Sequence, residues 1–138
     1  HHPMYSPASN RDNKEMRQQW KPLLDEFKVD LVLSGHDHAY SRTGLVDSKD
    51  IKNIPTGYQQ AYDPKIGTVH VVSVSGPKMY KITKGNYAKK LGENTQLYQI
   101  IDIKENELRF RAYDATGELY DEFLIQKQTG KPNLLVEK

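Results

Sequence analysis

The sequence predicts an α/β (α+β) fold, with one main helix and a C-terminal antiparallel β-meander. Three observations carry this. Met16, Trp20, Leu23, Leu24 and Phe27 recur at spacings of four and three, which makes one apolar helix face over about residues 13–27. Two short β-branched runs, 29–34 and 68–75, each stop at a glycine and read as buried strands of a parallel or mixed sheet. Beyond residue 96, apolar and polar residues alternate through three segments parted by short turns, the pattern of a sheet with one buried and one wet face.

Taken in order, residues 1–10 hold two prolines and two serines and read as a loop. Asp12 offers an N-cap, with Glu15 three residues on as in a capping box. Pro22 is expected to kink or restart the helix. A helix running straight into a strand suggests half of a βαβ unit, whose first strand would lie before residue 1. Residues 44–66 show no period, and so long a stretch is often functional when it occurs; we read it as a rim or lid. In the meander, Leu97, Gln99, Ile101 and Ile103 share one face of the strand 96–104. Leu108, Phe110 and Ala112 oppose Arg109, Arg111 and Tyr113 in the strand 107–113. The turn Asp114-Ala115-Thr116-Gly117 leads into a third strand, 118–127. The expected division is one domain over residues 1–127 and a loose polar tail over 128–138, in which Leu134, Leu135 and Val136 are the residues able to dock.

Composition narrows the class. The 138 residues are 36% hydrophobic and 28% charged, enough for one domain with a core. A net charge of +2, with scattered Lys and Arg, gives no reason to expect nucleic acid or an acidic membrane surface. No apolar run reaches spanning length. With no cysteine, any metal must be held by nitrogen and oxygen ligands.

The chemistry concentrates at Gly35-His36-Asp37-His38, where a strand runs into two histidines at i and i+2. In extended backbone both imidazoles lean to one side. Ligands of open α/β sheets gather at strand carboxyl ends, and imidazole binds zinc, iron and similar ions. A lone His-x-His is a weak signal, and a pair of exposed loop histidines is its plain alternative. Asp37, between them, points the other way as a supporting or surface carboxylate. His70, in mid-strand, reads as a satisfied structural histidine.

Gly35-His36-Asp37-His38-Ala39-Tyr40-Ser41-Arg42 resembles the Gly-His-x-His-x-Tyr-x-Arg segment of calcineurin-like metallophosphoesterases of the purple acid phosphatase type. His1-His2-Pro3-Met4-Tyr5 resembles the end of that family's upstream histidine motif, with His1 in the ligand place and His2 in the variable one. The resemblance extends through the strand after Gly67 and the meander, to about Lys127. It favours a natural His-His-Pro segment over the tail of an affinity tag. It implies the C-terminal half of the family's two-sheet sandwich, of which we expect one layer here. It also implies a phosphoester substrate and two divalent or trivalent metal ions (Fe, Zn, Mn or Mg) about 3.5–4 Å apart. His1 and His36 would bind the second metal and His38 the first. Gly35, Asp37, Tyr40 and Arg42 would support them, Tyr40 and Arg42 by bracing the loop. An extracytoplasmic bacterial hydrolase, periplasmic or secreted, is implied in the same way.

The departures count equally. The family's bridging Asp, first-metal Asp and Tyr, and Asn-His pair come from earlier motifs, and none is visible here. Two cations are hard to hold close without a bridging carboxylate, so this chain alone is expected to be inactive and to self-associate through uncovered surface. Where plant members carry a histidine, this sequence reads Asn10-Arg11-Asp12. Arg11 is either a bidentate phosphate contact or a solvated residue ahead of the helix. Tyr5 either lines the pocket or packs. Two other functions stay open: a non-catalytic β-rich binding module, and a mononuclear zinc hydrolase using His1, His36 and His38.

Overall fold

A computed structural model of the chain describes residues 1–46, 67–83 and 88–138. The elements are α1 (Lys14–Glu26), β1 (Leu31–Ser34), β2 (Tyr40–Val46), β3 (Thr68–Val72), β4 (Ala88–Gly92), β5 (Leu97–Lys104), β6 (Glu107–Asp114), β7 (Leu119–Gln128) and β8 (Lys131–Glu137). The class is α+β: the described residues form one helix and two four-stranded sheets, the second a meander. The first sheet runs β1-β3-β2-β4, with β1 parallel to β3 and the other pairs antiparallel. The second runs β5-β6-β7-β8, antiparallel throughout. No described helix is long and apolar enough to cross a membrane.

One core joins the sheets, so the chain holds more than the single layer expected. Tyr40, Leu45, Val69 and Val71 of the first sheet pack with Leu97, Phe110, Ala112, Phe123 and Ile125 of the second. The alternation read from the sequence supplies the second set, because every other residue of β6 and β7 faces inward. Ile103, expected on the inward face of β5, is 72% exposed at its far end. Polar ties reinforce the contact. Tyr40 donates to Asp121 at 2.7 Å, the Arg42 guanidinium pairs with Asp121 at 2.7 and 3.0 Å, and Tyr120 donates to the Leu91 carbonyl at 3.0 Å.

Helix α1 lies where its period placed it, but it is rotated so that only part of its expected apolar face turns inward. Arg17 and Lys21 are buried, while Trp20, Leu23 and Phe27 are exposed. Met16 and Leu24 alone of the expected apolar face pack inward, with Val32, on Met4, Tyr5 and Val46. The reason is backbone satisfaction. Arg17 donates to the Met4 carbonyl at 2.7 Å, and Lys21 donates to the Val46 carbonyl. These two carbonyls sit where chain segments meet the helix, and buried polar groups must find partners. Asp12 is not the N-cap. Asn13 holds that position without a side-chain cap bond, and Asp12 pairs with Arg17.

Other expectations shift for physical reasons. β1 is an edge strand with Leu33 54% exposed, so it is half-buried rather than buried. Residues 44–46 belong to β2, an interior strand buried along its whole length. The rest of the 44–66 stretch, read as a rim or lid, lies outside the described residues. Residues 131–137, expected in a loose tail, form β8 on the edge of the meander, paired Ile125↔Leu135 and Leu124↔Val136. His70 is buried in mid-β3 but is not satisfied. Its backbone N–H donates to Thr43 Oγ1 at 2.9 Å and its ring meets Tyr5 edge-on at 4.8 Å, yet Nε2 has no hydrogen-bond partner among the described residues.

Gly67 enters β3 at φ 145°, where an added Cβ would lie 2.8 Å from the backbone N, C and O of Val46. Backbone cannot yield as a side chain can. Gly67→Ala is therefore expected to destabilise the fold by roughly 2–4 kcal/mol. The check is a lower urea midpoint at unchanged m-value.

Candidate metal centre

The site forms where β1 ends and the first residues of the chain run alongside it. The Gly35 N–H donates to the His1 carbonyl at 3.0 Å, which pins the two histidine segments together. Gly35 also gives the His1 ring room, since a Cβ there would meet His1 Cε1 at 3.3 Å. The backbone then turns sharply. His36 takes φ 63°, the Asp37 N–H donates to the Gly35 carbonyl at 2.7 Å and the Ala39 N–H to the Asp37 carbonyl at 2.9 Å. The His-x-His segment is thus a tight turn and not the extended strand end expected. Left-handed backbone is uncommon outside glycine, and strained residues cluster at functional sites.

The turn and the N-terminal segment bring three imidazoles together. Ring centroids lie 5.4 Å apart for His1 and His36, 3.7 Å for His2 and His36, and 5.8 Å for His1 and His2. His2, placed in a variable position by the sequence, is thus the nearer neighbour of His36. Desolvation, then His2 and the Arg11 guanidinium, hold His36 below the ordinary histidine pKa, with Asp37 opposing. His38 stands apart from that trio. It stacks on Tyr80 at 4.8 Å, and its Nδ1 donates to the Lys78 carbonyl at 2.9 Å.

The supporting residues divide. Asp37 is buried at 2% exposure and accepts from Ser6 Oγ and Arg11 Nε. It is a carboxylate already committed, neither at the surface nor facing the histidines as a ligand. Arg11, held by Asp37, lies over the Tyr80 ring at 5.3 Å. Tyr5 packs: it is 2% exposed, between His70 and the Arg17 guanidinium 5.1 Å above its ring. Tyr40 and Arg42, expected to brace the loop, reach away from it to Asp121 and join the two sheets. Tyr80 and Lys78 gave no sequence signal as site residues. They arrive from about 40 positions away, and only the fold places them there.

The donor set fits part of a metal centre. Neutral imidazoles ligate without adding negative charge. A histidine whose Nδ1–H is fixed on a carbonyl, as in His38, leaves Nε2 oriented as a donor. Among the described residues, however, no three His, Asp or Glu side chains converge tightly enough to enclose an ion. Among the described residues, the carboxylates that a two-metal set needs do not lie beside these histidines.

No family model matches the chain. Purple acid phosphatase 7 of Arabidopsis thaliana is 23% identical over 135 residues, 94% of this chain and 34% of that protein. Purple acid phosphatase 17 of the same plant is 26% identical over 129 residues, 93% of the chain and 34% of that protein. The chain is a distant relative of the plant purple acid phosphatases. An uncharacterized protein of Mycobacterium tuberculosis is 34% identical over 83 residues, 55% of the chain and 16% of that protein. The chain therefore spans well under half the length of the curated relatives it matches. The likeness to purple acid phosphatases covers most of the chain, and so does not rest on the histidine segments alone.

Proposed function

We propose that this chain supplies the histidine side of a metal-dependent phosphoester hydrolase site. The carrying observation is the tight turn at Gly35–His38, tied by the Gly35 N–H to His1. It sets His36 among the N-terminal histidines and leaves His38 fixed through its Nδ1. The distant likeness to purple acid phosphatases supports the same reading. In this reading His1 and His36 hold one metal ion and His38 the other, and His2 stands as a further donor beside His36. When bound, such ions polarise a phosphoryl oxygen and lower the pKa of water. The protein's own residues present uncharged nitrogen donors, so an approaching phosphate meets no negative charge on the ligating side chains. Asp37, itself held by Ser6 Oγ, accepts from Arg11 Nε and leaves the exposed part of the guanidinium as a phosphate contact in this reading. The reaction is hydrolysis of a phosphomonoester or phosphodiester. The carboxylate ligands come from outside the described residues.

The test is hydrolysis of para-nitrophenyl phosphate and its bis-ester by the whole protein carrying this chain, with added zinc, manganese or iron. His36→Ala and His38→Ala are each expected to lower metal-dependent turnover by at least about 100-fold, since even supporting groups around a metal cost 10–100-fold. Full activity in both variants overturns the reading.

A further inference from the structure

The turn of the chain after β3 adds Lys78 and Tyr80 beside Arg11 and His38, making a cationic patch wider than the metal reading uses. Tyr80 sits at its centre. One contact of its ring is the stacked His38 imidazole, at 4.8 Å and 15°. Two cations also hold the ring: the Arg11 guanidinium at 5.3 Å and the Lys78 ammonium at 5.4 Å from its centroid. The patch is fastened to the histidine turn at both ends. The Lys78 carbonyl accepts from His38 Nδ1 at 2.9 Å, and the Tyr80 N–H donates to the His38 carbonyl at 2.8 Å. Whatever engages Lys78 therefore lies within a side chain's reach of His38.

Charge accounting shows what this patch accepts. Asp37 takes the Nε edge of Arg11, and the Arg11 side chain remains 40% exposed, with its two terminal nitrogens unpaired among the described residues. Lys78 is exposed and has no ion pair among the described residues. The one carboxylate at the patch, Asp37, is buried and already holds two donors. An apolar leaving group would satisfy neither cation. A planar guanidinium edge and a mobile ammonium beside one aromatic ring suit a compact anion with several oxygens.

We infer that Arg11 and Lys78, mounted on Tyr80, form a subsite for a second phosphoryl group of the substrate, next to the one bound at the histidines. This rests on the phosphoester reading and narrows it: the preferred substrates carry two phosphoryl groups close together, as in a diphosphate or a vicinal bisphosphate, and not a single phosphate on a neutral alcohol.

The experiment separates this from hydrolysis. The metal-free chain is titrated at low ionic strength with inorganic pyrophosphate and with inorganic phosphate, followed by amide NMR shifts. Pyrophosphate is expected to bind about tenfold more tightly than phosphate, the weight of one charge-assisted hydrogen bond. Lys78→Gln, an exposed change that leaves the fold intact, is expected to bring the two affinities together, with the largest lost shifts at residues 78–80. Equal affinities in the unmodified chain, or a preference untouched by Lys78→Gln, overturn the subsite. A Lys78-dependent preference without any metal-dependent hydrolysis by the whole protein leaves the subsite standing and sinks the hydrolase reading. Hydrolysis lost in His36→Ala, with no pyrophosphate preference, does the reverse.

Discussion

Arg42→Ala should lower the unfolding free energy by about 3–5 kcal/mol, among the largest single-residue effects in the chain. Arg42 is 4% exposed, and its guanidinium pairs through Nε and Nη2 with Asp121, itself 5% exposed, and through Nη1 with Glu137. Burial works against its charge, but the bonds to these two carboxylates outweigh that and raise its pKa. Removing the guanidinium strands the Asp121 carboxylate in the contact between the sheets, with the Tyr40 hydroxyl as its remaining side-chain donor among the described residues. It also removes the cation 5.3 Å above the Phe123 ring. The comparison that isolates the charge is Arg42→Ala with Asp121→Leu, expected to recover part of the loss because no unpaired ion remains. Urea titrations of the unmodified chain and of the two variants decide it. A loss under about 1 kcal/mol for Arg42→Ala would mean that water reaches Asp121 and the site is not dry.

Acid should unfold the chain through His70. Burial, and then Lys21 and Arg17 close by, push its pKa from 6.5 to about 3. Below pH 6.5 the unfolded chain takes up a proton that the folded chain refuses until about pH 3. Stability is therefore complete above pH 6.5, falls as pH drops through that window, and levels near pH 3. The whole window is worth on the order of 5 kcal/mol. Among the described residues, the groups recorded against the ring are the Tyr5 side chain and the two cations, and none of them welcomes an imidazolium. His70→Gln cannot titrate. Its stability should lose this part of the pH dependence while keeping whatever the carboxylates contribute. Parallel slopes for the two proteins between pH 6 and 4 would remove His70 as the cause.

How far the sequence could be read follows from how local each signal is. The meander was legible because β6 alternates throughout and β5 and β7 follow the same period in part, and because Asp114 to Gly117 carry their own turn chemistry: Asp114 Oδ1 accepts from the Thr116 N–H at 2.9 Å and the Glu118 N–H at 3.0 Å. Helix α1 was legible as a helix, but its orientation was not. Periodicity reports apolar spacing, whereas the inward face was decided by two carbonyls, at Met4 and Val46, that demand donors from Arg17 and Lys21. β4 and β8 escaped because edge strands need no apolar alternation; Ala88-Lys89-Lys90 and Lys131-Pro132-Asn133 are polar, as edges commonly are. The histidine turn was legible from its residues, though its left-handed backbone was not. His2, Tyr80 and Lys78 became site residues only through pairings between distant segments.

The outward placement of Trp20 on α1 has an optical consequence. Trp20 is the single indole of the chain, and it is 53% exposed. Its emission in the native state should already be close to that of a tryptophan in water, and it should shift little when the core melts. Unfolding curves for Arg42→Ala or Gly67→Ala followed by tryptophan fluorescence would look flat even where circular dichroism shows a full transition. The same indole, lying beside Leu23 and Phe27 on the outward side of the helix, would move to the blue when another surface covers that side. One chromophore is thus nearly blind to folding and sensitive to association.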